Sequence, residues 1–209
     1  AYFNSAVIVD PSGRLAGRYD KHAPLLFGER MPFARSLPIL GEISPRSGEF
    51  SAGAGAPRLV IDDHPVTITI CNEDTLGPLV NRLAREQAPE LLVNMTNDGW
   101  FAGSSEPIMH LELARLRAIE HRRYLVRATN FGVTAAIDPN GRVASPPRLD
   151  ENASFSADVA WCARTALYER FGDGPWWGSL GAIVALGFLR KPKRSGERAD
   201  DARSRAATS

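Results

Sequence analysis

A chain of 209 residues is long enough for one sizeable core and at most two small domains. Its 44% hydrophobic and 23% charged residues are ordinary for a globular protein, and a formal net charge of +1 argues against a nucleic-acid partner held by bulk charge. Two cysteines, Cys71 and Cys162, make no disulfide framework; nothing has the spacing of a CxxC metal site, and the four histidines (His22, His64, His110, His121) are scattered in sequence.

The chain opens on Ala1 and runs straight into a strand-like stretch, Tyr2 to Asp10, so it reads as a piece of a longer protein with no signal peptide of its own. Residues 3–10 and 15–19 flank Pro11-Ser12-Gly13, a turn signal, and predict a hairpin. Residues 22–57 are rich in Pro, Gly and Ser and read as long irregular chain, the kind usually functional or disordered. Strands are expected near 58–61 and 65–70, a helix over 76–84, and a strand over Leu91-Leu92-Val93-Asn94-Met95. The loop Thr96 to Glu106 leads into a helix from Pro107 to about Arg122, with Leu111, Ala114, Ala118 and Ile119 on one face. Strands follow at 124–129 and 132–137, then a hairpin turn at Asp138-Pro139-Asn140-Gly141-Arg142. Strands alternating with helices, then hairpins, predict a mixed α/β sandwich with helices layered over sheet.

Val66-Thr67-Ile68-Thr69-Ile70 is a β-branched run that delivers Cys71 at its end, followed by the polar Asn72-Glu73-Asp74. A thiol at a strand-to-helix turn is held by the sheet and open at its tip, with backbone N–H groups aimed at whatever it attacks. The bland alternative is a small buried hydrophobe, and the three polar side chains that follow make it poorer. An ordinary thiol is mostly protonated at neutral pH, so a nucleophile needs a nearby cation. Lys21, directly after the second strand, is the candidate; on its own it would be a solvated lysine in a turn.

After Asp173 the character changes. Residues 175–189 carry no charge and include Trp176, Trp177, Ile183, Val184, Leu186, Phe188 and Leu189, with Arg190-Lys191-Pro192-Lys193-Arg194 next. Fifteen helical residues reach about 22 Å, short of the roughly 30 Å hydrocarbon core. On length a buried terminal helix is an equal reading; paired tryptophans at one end and a basic cluster at the other favour a membrane segment. The last dozen residues read as a disordered tail.

Tyr19-Asp20-Lys21-His22 followed by Leu26-Phe27-Gly28-Glu29-Arg30-Met31-Pro32 resembles the nitrilase superfamily, in particular its apolipoprotein N-acyltransferase branch. The likeness continues through Cys71-Asn72-Glu73, Asn97-Asp98-Gly99-Trp100-Phe101, Pro107, His110, Arg117-Ala118-Ile119-Glu120, Arg123 and Arg127 to Thr134. Thr165-Ala166-Leu167-Tyr168 and Phe171-Gly172-Asp173, ahead of the apolar stretch, extend it almost to the C-terminus. The resemblance implies an α/β fold: a nitrilase-like α-β-β-α sandwich, incomplete at its N-terminus, over residues 1–173. A transmembrane helix over 174–190 and a basic tail over 191–209 would follow. It implies Cys71 as the acyl-accepting nucleophile, with Lys21 and the N–H after Cys71 holding the oxyanion. Glu29 and Glu73 would line the site, and Trp100 and Phe101 would flank an acyl channel or, equally, form a core pair. Asn97 and Asp98 are expected to shape their loop, and Arg117, Glu120 and Arg127 to form an ion-pair network supporting the helix.

Two departures stand out. Asn72 occupies the place of the family's usual tyrosine beside the nucleophile. The family's triad glutamate lies well upstream of the lysine, and none of the twenty residues before Lys21 is a glutamate. The resemblance therefore implies part of an enzyme that moves an acyl chain from a phospholipid donor to the N-terminal amine of a lipoprotein acceptor. That part is expected to be inactive alone and needs no metal or organic cofactor. The whole would sit in a bacterial inner membrane, catalytic domain in the periplasm and tail in the cytoplasm. Two alternatives remain: a soluble carbon–nitrogen hydrolase acting as an amidase, and a catalytically inactive nitrilase-like binding module.

Overall fold

The computed structural model describes residues 1–31, 36, 39, 50–101, 103–143 and 156–189. The chain divides into two compact units, Ala1–Gly172 and Asp173–Ser209.

The first unit opens with strands β1 (Ser5–Val9) and β2 (Leu15–Asp20), an antiparallel pair in which Ala6 faces Tyr19. The turn between them is closed by Asp10, whose Oδ1 accepts the backbone N–H of Ser12 and of Arg14 at 2.9 Å. Strands β3 (Leu59–Ile61), β4 (His64–Ile70), β5 (Leu91–Thr96), β6 (Leu125–Thr129) and β7 (Ala135–Ile137) form one sheet in that order. The pairs β4–β5 and β5–β6 are parallel, and the edges β3 and β7 are antiparallel. Parallel neighbours need long crossovers. Helix α1 (Gly77–Gln87) supplies one and helix α2 (Glu106–His121) the other.

The unbroken apolar and β-branched character of β4 follows from burial on both faces. On one face Thr67 Oγ1 donates to Gln87 of α1. On the other, Val66, Ile68 and Ile70 point toward the small sheet, and they share one core cluster with its Ala6 and Tyr19 and with Leu59, Leu83 and Leu91. A second cluster packs Leu111, Ala114 and Ala118 of α2 on Leu92, Leu125, Ala135 and Ile137. Each fully buried aliphatic side chain contributes roughly 1.5–3 kcal/mol relative to exposure. The result is helix over sheet over sheet, as expected.

Several expectations need adjusting. Helix α1 runs to Gln87, where Ala88 at φ +47° ends it. Strand β7 begins at Ala135, because Gly132 at φ +115° and a Thr129–Thr134 hydroxyl contact of 3.0 Å make residues 130–134 a turn. A short helix α3 (Leu167–Phe171) was not anticipated. Charge rather than an apolar pattern fixes it: Glu169, 3% exposed, pairs with Arg123 and accepts from His121 at 3.2 Å. Cys162 lies in extended chain outside any strand, its N–H on the Glu90 carbonyl at 3.1 Å.

The second unit contains helix α4 (Gly174–Leu189), of whose residues none is buried. No helix among the described residues is long and apolar enough to cross a membrane. Helix α4, where the membrane segment was expected, has sixteen residues that cover about 24 Å. The basic cluster after Leu189 and the tail lie outside the described residues, as does most of 32–49.

Candidate active site

Cys71 directly follows β4 and starts a 3-10 turn, Cys71–Thr75, with φ at +54°. A non-glycine residue there costs of order 1–3 kcal/mol and persists only when its surroundings over-determine it. Two hydrogen bonds do so. The Ile70 N–H donates to Glu73 Oε2 at 2.8 Å, and the Cys71 carbonyl accepts from Asn94 Nδ2 at 3.1 Å.

Glu73 takes a different place from the one expected. It is 0% exposed and accepts from Tyr19 Oη at 2.9 Å, the His22 N–H at 2.6 Å and the Ala23 N–H at 3.0 Å, besides Ile70. With its carboxylate so committed, it bolts the chain leaving β2 to the turn that carries Cys71. Burial, and then the Glu73 charge, push the Tyr19 phenol upward, so it stays a donor.

Lys21 is also not the turn lysine it resembles in sequence. It is 1% exposed, and its Nζ donates to Glu29 Oε2 at 2.7 Å. Glu29 accepts as well from Asn4 Nδ2 at 2.7 Å and the Leu25 N–H at 2.6 Å. Burial alone would raise the Glu29 carboxyl; the bonds from Lys21, Leu25 and Asn4 outweigh it and hold the group below its ordinary value. Gly53, whose N–H meets the Lys21 carbonyl at 2.8 Å, passes so close that a Cβ would lie 2.2 Å from the Asp20 oxygen. Only glycine lets residues 50–57 pack there.

Cys71 and Glu29 line one cavity of about 530 Å³. Its apolar wall is Phe50, Ile70, Met95 and Trp100, and its polar wall includes Asn4, Asn97 and Asn130. Trp100, 61% exposed, lies at this cavity rather than in the core; Phe101 is 40% exposed and does not line it. Asn72 stands beside Cys71 with Oδ1 buried and without a hydrogen-bond partner among the described residues. Lys21 meets the cavity through Glu29.

Beneath the turn that carries Cys71 lies a buried polar network. Arg127 donates to Asp74 Oδ2 and Asp98 Oδ2 at 2.8 Å each and to Asn94 Oδ1 at 3.1 Å. His110 bridges the same two aspartates, Nε2 to Asp74 at 2.7 Å and Nδ1 to Asp98 at 3.1 Å. Burial works against a charged His110, but the two carboxylates win and raise it to about 9. Asp98 is held low despite burial, chiefly by His110 and Arg127. Two cations and two anions thus balance at 0–3% exposure. Arg127 belongs here and not, as expected, with Arg117 and Glu120, which pair on α2 at 2.7 Å. Asn97 does shape its loop, accepting the Gly99 N–H at 3.0 Å. Asp98, Glu106 and His110 lie close enough to hold a metal ion. An imidazolium bonded at both nitrogens is a poor ligand, and the Arg127 guanidinium already occupies Asp98.

Sequence reasoning missed Asn94. Its signal was available: a lone amide inside the apolar run Leu91-Leu92-Val93-Asn94-Met95 on a central strand needs buried partners.

The layered sheets, with a thiol on a strained turn that shares a cavity with the glutamate of a lysine–glutamate pair, define a nitrilase-like α/β protein. The chain belongs to the carbon–nitrogen hydrolase family, whose sequence pattern matches residues 1–160. It is 35% identical over 193 residues to an apolipoprotein N-acyltransferase of Geobacter metallireducens, covering 91% of this chain and 37% of that protein. An apolipoprotein N-acyltransferase of Bradyrhizobium diazoefficiens is 33% identical over 194 residues, 92% of this chain and 35% of that one. The chain therefore spans little more than a third of the length of these curated relatives. Among solved structures, the NitN amidase from Nesterenkonia sp. AN1 has the same fold at 16% identity, with a TM-score of 0.56 over 84% of this chain and 62% of its own.

Proposed function

We propose that residues 1–209 are the thiol-bearing part of an N-acyltransferase that moves a fatty acyl group from a phospholipid to the N-terminal amine of a lipoprotein diacylglyceryl-cysteine. The observation that carries this reading is the shared cavity, in which Cys71 stands between an apolar wall fit for an acyl chain and the Glu29 that holds Lys21. The names of the relatives supply the substrate class.

The chemistry runs in two halves. The Cys71 thiolate attacks the ester carbonyl of the donor; the resulting oxyanion is held by the Asn72 N–H and the Lys21 ammonium. The C–O bond breaks, the lysophospholipid alkoxide takes a proton, and a thioester remains on Cys71. The acceptor amine attacks that thioester, loses its proton, and leaves as the amide while the thiolate returns. Glu29 is a poor base for these transfers, because it is held ionised below its ordinary pKa and is committed to Lys21. It is the one carboxylate among the described residues lining the cavity. We place the general base outside residues 1–209, which makes this stretch inactive by itself.

Helix α4 supports acyl transfer over hydrolysis. Trp176, Trp177, Ile183 and Phe188 are 67–85% exposed, an apolar surface that suits lipid better than water. The proposed division is a catalytic portion over 1–173, a membrane-embedded segment over 174–190 and a basic tail from 191. The catalytic face is assigned to the periplasm of a bacterial inner membrane and the tail to the cytoplasm. The second reading, an amidase in which water replaces the amine, is favoured by the asparagine-rich wall of Asn4, Asn97 and Asn130.

The test uses the full-length protein and a phospholipid with a labelled acyl chain. A hydroxylamine-labile acyl adduct on the peptide containing Cys71, chased onto an amine acceptor, is the expected result. Label released only as free fatty acid would favour hydrolysis, and no adduct at Cys71 would end both readings.

A further inference from the structure

We propose that Asn94 is a positioning residue that sets the oxyanion donor of the nucleophile's turn, a role that rests on the reading of Cys71 as the acyl acceptor. Asn94 lies on β5 directly across from Thr69 of β4 and is 0% exposed. Its Nδ2 donates to the Cys71 carbonyl and to Thr69 Oγ1, both at 3.1 Å. Its Oδ1 accepts from Arg127 Nη1 at 3.1 Å. The amide has one possible orientation: a guanidinium offers only donors, so the oxygen must face Arg127 and the NH₂ must face the Cys71 carbonyl. Arg127 is itself fixed by Asp74 and Asp98.

The consequence follows from peptide geometry. The Cys71 carbonyl and the Asn72 N–H belong to one planar unit, and that peptide is trans, so the two groups point in opposite directions. Holding the carbonyl down toward the sheet turns the N–H up, away from Asn94. The Asn72 N–H, near the start of the 3-10 turn, is among the opening donors that a helix leaves without an internal partner. A donor on the carbonyl also polarises the peptide and strengthens its N–H as a donor. A single buried amide thus fixes both the strained backbone of Cys71 and the aim of the group that must meet the transition-state charge.

The test compares Asn94→Asp with the parent and with Cys71→Ser in the full-length protein. Asp keeps the shape and the acceptor for Arg127 but has no N–H for the Cys71 carbonyl. The expected result is a kcat in the folded protein lowered about 10- to 100-fold, with KM for the phospholipid within about twofold; the buried carboxylate also lowers the melting temperature. A merely structural role would lower the melting temperature alone and spare kcat in the folded fraction. A folded Asn94→Asp with kcat within about twofold of the parent overturns the proposal. Should Asn94→Asp not fold, Thr69→Val removes the hydroxyl that steers the amide without touching Cys71, and it must lower kcat at least about threefold; an unchanged rate is equally fatal. Full acyl transfer by Cys71→Ser would instead overturn the nucleophile reading, and this proposal with it.

Discussion

Lys21 and Glu29 meet at 2.7 Å with the lysine 1% exposed, so the cation assigned to the oxyanion is the buried half of a part-buried ion pair. Removing Lys21 leaves the part-buried Glu29 carboxylate without its cation, a loss on the order of 1–3 kcal/mol, whereas removing both leaves no unpaired charge. Lys21→Ala is therefore expected to lose stability as well as about two to three orders of magnitude in acylation rate. Lys21→Ala combined with Glu29→Ala should regain most of the stability and none of the rate. Urea midpoints read beside the thioester burst check this, and a double variant as unstable as the single would count against it.

Cys71 and Cys162 are both half-buried free thiols, so exposure does not separate them. Their surroundings do. Cys71 lies on a strained turn in a cavity, while the Cys162 Sγ rests 3.6 Å from the Ala160 carbonyl in extended chain. Iodoacetamide at limiting dose should label Cys71 at least about tenfold faster, read by peptide mass, and Cys71→Ser should abolish the thioester while Cys162→Ser leaves it. Equal labelling of the two would contradict the assignment.

The parts legible in the sequence were those written as periodic apolar pattern or turn chemistry. The run Val66 to Ile70 gave away a strand buried on both faces, and Asp138 with Gly141 gave away its hairpin turn. The parts that were not legible are held by polar groups meeting across long sequence separations. Glu73 looks like a site carboxylate until Tyr19, His22 and Ala23, some fifty residues earlier, are seen to converge on it. Arg127 and Asp74 are 53 residues apart, and no spacing rule joins them. Lys21 reads as solvated because its burial comes from residues 29 and 53, which arrive from a stretch with no regular pattern.

Buried histidines set the pH limits of the fold. His110 is raised to about 9 by its two aspartates, so its contribution is complete below about 6.5 and fades as pH climbs through 9. At full shift this is on the order of 3 kcal/mol. His121 is opposite: burial, then Arg123 and Arg117, hold it near 3, so stability falls as pH drops below about 6.5. Melting temperatures should peak near pH 6.5, where both contributions are largest, and His110→Gln should flatten the alkaline limb while sparing the acid one. An alkaline limb unchanged in His110→Gln would mean another group is responsible.

Helix α4 has no charged residue and no buried one, and its sixteen residues reach about 24 Å against a hydrocarbon core of roughly 30 Å. A segment that short enters lipid only if its flanks make up the difference, and Trp176 with Trp177 at one end and Arg190 with Lys191 at the other are side chains that settle at the interface. Brominated phospholipid should therefore quench the full-length protein's tryptophan fluorescence, and Trp176→Phe with Trp177→Phe should remove most of that quenching. Persistence in the double variant would assign the lipid contact to tryptophans outside α4, such as Trp100 at the cavity or Trp161. Ile183→Lys puts a charge at the middle of the helix, where insertion costs about 2.5–3.5 kcal/mol. If α4 lies in lipid, this variant should weaken membrane retention in carbonate extraction and leave the Cys71 alkylation rate alone. If α4 instead seats against protein, the charge should lower the melting temperature and leave retention as it was.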